Sequence, residues 1–235
     1  KDMPKPKIVH TPVLLREVLQ LLDPRAGESY LDLTAGLGGH GAAILKLTDS
    51  PKLATLIDRD PVAIALLKER FQDIDILQTD FLSAAHRLTE QGKKFDLILA
   101  DLGVSSLHFE DPSRGFSFSR PGPLDMRMDS SQQLTAGEIV NSWDEEKLAE
   151  LLRAYGEEPR AKAIARAIVK NRPISSTGQL AETAVSVYRF RSRIHPATRT
   201  FQALRIYANN ELGNLEKVLK DVFRIVKPGG RVVII

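Results

Sequence analysis

The stretch "LDLTAGLGGHG", Leu31 to Gly41, places four glycines and a histidine directly after an acidic residue and an apolar run. Such a loop holds a phosphate, a nucleotide or nothing but a tight turn. A triphosphate loop ends in Gly-Lys-Ser/Thr. Here His40-Gly41 stands in that place, which disfavours nucleotide triphosphate hydrolysis. A dinucleotide loop stays open. Asp58 lies 20 residues after Gly38 and ends the apolar run "LATLID", where a carboxylate could accept hydrogen bonds from both hydroxyls of a ribose. Asp80-Phe81 follows a third run and offers a carboxylate for an amino group and a ring for stacking on an adenine. Asp101 ends a fourth, "FDLILAD", and opens "DLGVSS". The chain has no cysteine, so it has neither disulfides nor a thiolate nucleophile, and this composition fits a reducing cytoplasm.

These residues need a scaffold, and the surrounding pattern describes one. "SYLDLT", "LATLID", "IDILQ" and "FDLILAD" read as strands, separated by helical stretches near residues 40–47, 61–72 and 82–91. Buried strands alternating with helices imply an α/β fold with a parallel sheet covered on both faces. "PVLLREVLQLL" reads as a helix capped by Thr11-Pro12 and stopped at Asp23-Pro24. With 235 residues, 43% hydrophobic and 27% charged, the chain has the balance of a soluble globular protein. No apolar run approaches the roughly 20 residues that span a bilayer.

After Asp101 the alternation stops. Residues 105–133 read as loop and 135–192 as helices, with caps at Thr135 and Asp144 and stops at Gly156 and Pro173. A helical pattern then runs from Pro196 towards Val226, with Gly213 as its expected interruption, into a turn and strand at "KPGGRVVII". About a hundred residues of helix therefore interrupt the sheet after its fourth strand. This insert carries the charge asymmetry. From Arg160 to Arg205 there are ten Lys or Arg and one acid, Glu182, a net +9 in a chain whose total is +3. Such a field attracts a polyanion. "YRFRSR", Tyr188 to Arg193, mixes aromatics with arginines that could grip phosphates while a ring stacks on a base. The bland alternatives are an inward-packed Tyr188, Asp125–Arg127 as a loop staple, and Met126, Met128 and Trp143 as packing.

"VFRIVKPGGRVVII" resembles the fifth-strand signature of class I S-adenosylmethionine (SAM) methyltransferases. That cofactor has a ribose and an adenine but no phosphate, so it needs glycines for close approach and no lysine. At the fourth strand, Asp101-Leu102-Gly103-Val104 departs from the Asp/Asn-Pro-Pro-aromatic pattern of amino-methyltransferases, yet serves the same end. A carboxylate and a backbone carbonyl accepting the N–H bonds of an exocyclic amine raise electron density on nitrogen and aim it. Methylation at carbon 5 of a pyrimidine normally needs a cysteine and is excluded.

Seven stretches bring the chain close to one family: "HTPVLLREVL", "LDLTAGLGGHG", "DLGVSS", "RGFSF", "GPLDMRMD", "YGEEPRAKAIARAI" and "HPATRTFQALRI". The chain resembles the bacterial 16S ribosomal RNA (cytosine-N4) methyltransferases, the MraW or RsmH family. Pro121 departs from the acid expected in many members. The resemblance implies a class I methyltransferase fold that methylates N4 of a cytosine in the decoding region of the small ribosomal subunit. The cofactor contacts would be Gly36, Gly38, Gly39, His40, Asp58, Phe81, Asp101 and His108, and the catalytic groups Asp101, Leu102 and Ser105. Arg189, Arg191, Arg193, His195 and Arg199 would hold RNA, with no metal and no membrane. The SAM domain would comprise residues 1–108 and 207–235, and the inserted helical RNA-recognition domain 109–206. The family continues past a strand like "RVVII" with further strands, so these are expected to be missing here, leaving an edge that a second copy could cover as a homodimer. Two other classes remain. A non-catalytic SAM- or RNA-binding module is opposed by an intact Asp101 motif beside the cofactor set, and a dinucleotide oxidoreductase by "KPGG" and "DLGVSS".

Overall fold

The computed structural model describes residues 12–104, 109, 111–189 and 194–235. They form two compact units, one of residues up to 103 together with 214–235, the other of residues 104–213. The boundaries thus fall at 103/104 and 213/214, where the sequence placed them at 108/109 and 206/207. No described helix is long and apolar enough to cross a membrane.

The first unit is built on five parallel strands: β1 (Tyr30–Asp32), β2 (Ala54–Asp58), β3 (Asp75–Gln78), β4 (Phe95–Ala100) and β5 (Val226–Ile234). Their order is β3-β2-β1-β4-β5. The chain builds outwards from β1 to β3, then returns to the other side of β1 with β4. The order therefore reverses between β1 and β4, and ligands of open α/β sheets bind at the carboxyl ends of strands at such a point.

Period-2 alternation sends successive β1 side chains to opposite faces. Tyr30 joins Leu56, Leu97 and Leu99 under α1 (Leu15–Leu22), α2 (Gly39–Thr48) and α3 (Pro61–Arg70), which contribute Val18, Leu22, Ile44, Ile64 and Leu67. Leu31 and Leu33 join Ile57 and Ile98 on the other face. There they meet Ala84, Ala85 and Leu88 of α4 (Phe81–Glu90) and Val218, Val222 and Ile225 of α10 (Glu211–Ile225). Asp96 stitches three strands together. It accepts from the Ser29 amide and hydroxyl at 2.8 and 2.7 Å and from Lys227 Nζ at 2.8 Å.

The second unit packs α5 (Ala136–Ser142), α6 (Glu145–Gly156), α7 (Ala161–Lys170), α8 (Thr177–Ser186) and α9 (Thr198–Ala208) around one apolar core. The expected caps are in place: the Thr135 hydroxyl accepts from the Glu138 amide at 3.1 Å and the Asp144 carboxylate from the Lys147 amide at 2.8 Å. Met126 and Met128 are buried in that core, Trp143 packs against it, and α6 ends at Gly156 as the sequence indicated.

Three local expectations are corrected. Helix α1 starts at Leu15, because Leu14 is left-handed with φ 51° and cannot continue a right-handed turn. Thr11 lies outside the described residues. Pro12 instead lies against the glycine loop, 2.6 Å from where a side chain on Gly39 would begin. The Pro228-Gly229-Gly230 turn is an irregularity inside β5. Pairing with β4 is made at Val226, shifts register, and resumes from Arg231. The break in the last long helical pattern comes at Asn209-Asn210, and Gly213 sits within α10. Asn210 is left-handed with φ 47°, and Asn209 is fully buried. Its side-chain amide donates to the carbonyls of Met126 and Arg205 at 2.8 Å each, and its oxygen accepts from the Met128 amide at 2.8 Å.

Asn209 thus holds the "LDMRMD" loop on the end of α9. Asn209→Ala strands the Met128 amide and the Met126 carbonyl, at about 1–3 kcal/mol for each buried group left unpaired. Urea unfolding should show a loss of at least that size, larger than for Asn210→Gly, which keeps the left-handed turn without strain.

Candidate functional site

At the carboxyl end of β1 the chain turns through the glycine loop into α2. Gly36 and Gly38 have φ of 53° and 72°, a region that disfavours side chains. A side chain on Gly38 would run into the Phe71 ring and come within 2.9 Å of Leu67. Arg70 closes the loop from outside, donating from Nη1 to the Leu37 carbonyl at 2.6 Å, with its guanidinium 5.2 Å from the Phe71 ring centre. The loop is therefore narrow by construction, with helix-end amides beyond it.

Beneath it runs a hydrogen-bonded line from the core to the surface. Tyr30 donates its hydroxyl to Asp32 Oδ2 at 2.7 Å. Asp32 Oδ1 accepts from the Thr34 amide at 3.2 Å. The Thr34 hydroxyl accepts from the Asp101 amide at 2.6 Å, which ties the end of β4 to the end of β1. The Asp101 carboxylate then lies 3.7 Å from Nε2 of His40, which is itself buried at the start of α2. Asp101 and His40, 61 positions apart in sequence, are thereby brought together, and the Asp101 side chain is partly exposed. Tyr30, Asp32, Thr34, Arg70 and Phe71 were not singled out by the sequence reading. An acid ending a strand just before a glycine loop was the available signal for Asp32.

Asp58 ends β2 beside the loop. Its Oδ2 accepts from the Gly36 amide at 2.8 Å and its Oδ1 from the Asp60 amide at 2.9 Å. Asp80 has a task the sequence reading did not assign. It caps α4, accepting from the amides of Leu82 and Ser83 and from the Ser83 hydroxyl at 3.0, 2.9 and 2.6 Å. Phe81 is half-buried against the α4 side of the sheet. Leu102 packs on the same side, and its amide donates to the Ile235 carbonyl at 2.8 Å. Ser105 and His108 lie outside the described residues, as does His10.

In the second unit, Arg191 and Arg193 also lie outside the described residues. Arg189 is exposed. Arg199 is half-buried and donates to the Glu157 carbonyl at 2.9 Å. Tyr188 takes the inward role. Its hydroxyl donates to the buried Glu158, and the Arg160 guanidinium lies 4.9 Å from its ring centre. Burial and the Glu158 carboxylate push the Tyr188 hydroxyl up to about 12. Arg127 grips Asp125 with two hydrogen bonds, at 2.7 and 2.8 Å, and the Ser130 carbonyl at 2.9 Å, so that pair staples its loop. Among the described residues, no three His, Asp or Glu side chains cluster as a metal site would require.

Residues 7–235 match the MraW methylase family. A protein of Acidobacterium capsulatum named ribosomal RNA small subunit methyltransferase H is 46% identical over 238 residues, spanning 96% of this chain and 80% of that protein. Proteins of the same name from Crocosphaera subtropica and Rickettsia bellii are 46% and 47% identical. These alignments span 100% and 96% of this chain and 75% of each relative.

Burial raises the Asp32 carboxyl to about 7, the Tyr30 and Thr34 bonds oppose that rise, and the nearby Asp101 and Asp58 charges add to it. An unfolded Asp ionises near 4, so between roughly pH 4 and 7 the folded chain holds a proton that the unfolded chain has lost. Stability therefore falls as pH rises through that window, by at most about 1.4 kcal/mol per pH unit, and levels off above it. Urea unfolding at several pH values should show this decline in the unsubstituted protein and its absence in Asp32→Asn.

Proposed function

The chain belongs to the MraW methylase family, and on that premise we propose that it moves a methyl group from S-adenosylmethionine to the exocyclic N4 of a cytosine in the decoding region of 16S ribosomal RNA. The observation that carries this reading is the Thr34–Asp101 bond. It sets a carboxylate beside the glycine loop at the switch point of the sheet, where donor and acceptor must meet. Three relatives named for methylation of small-subunit ribosomal RNA support the substrate class.

The residues present fit this cofactor. The loop at Gly36, Gly38 and Gly39 admits backbone approach and has no lysine for a phosphate, and Asp58 at the end of β2 accepts from ribose hydroxyls. When bound, the cofactor supplies an electrophilic methyl group on a sulfonium. The work of the protein is then on the amine. The N4 lone pair of cytosine is delocalised into the ring. Asp101, with the Leu102 carbonyl, accepts the amine N–H bonds, raises electron density on nitrogen and points the lone pair at the methyl carbon. As the nitrogen–carbon bond forms, the carbon–sulfur bond would break to leave a neutral thioether, and the proton shed by N4 passes to the Asp101 carboxylate and on to solvent. Such positioning supplies much of the rate in a two-substrate reaction. The buried His40 lies 3.7 Å from the Asp101 carboxylate, beyond hydrogen-bond distance. The substrate is the small ribosomal subunit or its RNA, met in the cytoplasm, and the basic segment Arg160–Arg205 of the second unit recognises it.

Incubating the chain with methyl-labelled cofactor and small subunits should place label on one cytosine of 16S RNA, and no incorporation would overturn the reading. Two variants separate the roles. Asp58→Ala should weaken cofactor binding by about 1.5–3 kcal/mol, the cost of a hydrogen bond to a charged group. Titration calorimetry measures this, with Asp58→Asn as a milder control because it keeps an acceptor for the Gly36 amide. Asp101→Ala should cripple turnover at saturating cofactor while binding stays within a few fold. Near-normal turnover by that variant would remove Asp101 from the mechanism.

A further inference from the structure

Of the two aromatics in "YRFRSR", Tyr188 is already committed to Glu158 and Arg160, and Phe190 lies outside the described residues. Another pair of rings in the same unit is suited to stacking. Phe118 and His195 stack with ring centres 4.4 Å apart and planes 21° from parallel. Phe118 meets the ring of Phe201 edge-on at 5.1 Å, and Phe201 is buried in the helical core. The Phe118 ring is therefore fixed from below, and it fixes His195 in turn. The imidazole is held a second way: its Nδ1 accepts from the Ala197 amide at 3.2 Å, just before α9 begins. With Nδ1 an acceptor, the neutral ring carries its proton on Nε2, so an N–H donor lies at the opposite edge.

In spite of both restraints, His195 is exposed. One face lies on Phe118. A histidine serving only to close a loop has no need to be both immobilised and exposed. Here an aromatic surface is preorganised in orientation, with a donor in its plane, inside the segment of net +9 that also holds Arg189 and Arg199. Unpaired bases present a flat π-face with acceptors at the edge, and proteins bind them by stacking beside cationic side chains.

We propose that Phe118 and His195 form a stacking platform for one unpaired RNA base, with His195 as the contacting ring and Phe118 as its support. This rests on the RNA reading above and names the place where a base, as distinct from the phosphate chain, is held. Arg189, exposed and in the same basic segment, is the candidate for a phosphate contact.

The two kinds of contact separate by salt. Stacking leaves affinity loss independent of ionic strength, whereas a lost phosphate contact lowers the slope of log K against log salt by about 0.7 per phosphate on single strands. The probe is a labelled single-stranded fragment of 16S RNA from the decoding region, titrated with the full chain by fluorescence anisotropy over a salt series. His195→Ala should weaken binding about tenfold or more with an unchanged slope, and His195→Phe should restore most of the affinity. Arg189→Ala should lower the slope. A second readout does not depend on affinity: 2-aminopurine, scanned along the RNA, should be quenched at one position by the unsubstituted protein and His195→Phe but not by His195→Ala. Unchanged affinity and quenching in His195→Ala would overturn the platform, as would a loss that appears only as a lower slope. Absence of RNA binding by the unsubstituted chain would instead defeat the RNA reading, and the platform with it.

Discussion

The hydrogen bond from the Asp101 amide to the Thr34 hydroxyl decides how this sheet becomes a site. Parallel neighbours share backbone bonds along their paired lengths, but β1 is only three residues long, and pairing with β4 ends at Asp32. After the last backbone bond between them, from the Leu33 amide to the Leu99 carbonyl at 2.9 Å, the two chains part, one into the glycine loop and the other into "DLGVSS". The Thr34 hydroxyl closes this gap by one side-chain bond. Asp32 fixes Thr34 through its amide, and Tyr30 fixes Asp32 from within the core. Placement of the Asp101 carboxylate therefore traces back to a buried phenol, with the bulk of the sheet core packed around it.

This arrangement has an electrostatic cost that the fold accepts. Asp32 is 1% exposed and has two other acids, Asp58 and Asp101, in its neighbourhood. An isolated carboxylate in such a place favours its neutral form. The same convergence of acids suits a cationic ligand. Asp96, at the opposite end of the strands, shows the contrasting solution. Burial opposes its ionisation, but Lys227 and two Ser29 donors hold it down at about 2, so it stays charged and laces β1, β4 and β5 together.

Much of this architecture was legible in the residue order. The four first strands, the α/β alternation, the caps at Thr135 and Asp144 and the helical interruption all depend on local pattern, and local pattern is what a sequence displays. The misreadings share a different cause. Gly213 looked like a helix break because glycine is a poor helix former, yet the break follows the buried Asn209, whose partners Met126 and Met128 lie more than eighty positions away. The Pro-Gly-Gly turn looked complete, but pairing with β4 draws Val226 into the strand. Local pattern left Tyr188 undecided between a base and the core, and the Glu158 carboxylate decides for the core. The Tyr30–Asp32–Thr34 line escaped notice for the same reason: each residue fits a strand end, and only the neighbouring strand reveals what they hold. In each case a long-range partner overrode a sound local expectation.

The shortness of β1 carries one more implication, for how the segment can vary. Its consecutive residues feed two separate cores, Tyr30 on one face and Leu31 on the other, and the strand has neighbours on both sides. Because side chains alternate with a period of two, adding or removing a single residue between Ser29 and Thr34 would exchange the faces. The phenol that braces Asp32 would then point into the wrong layer, and the hydroxyl that reaches Asp101 would point away. Single substitutions here can be absorbed according to size and polarity. A change of length has no such latitude, so spacing in this part of the chain is under tighter constraint than residue identity.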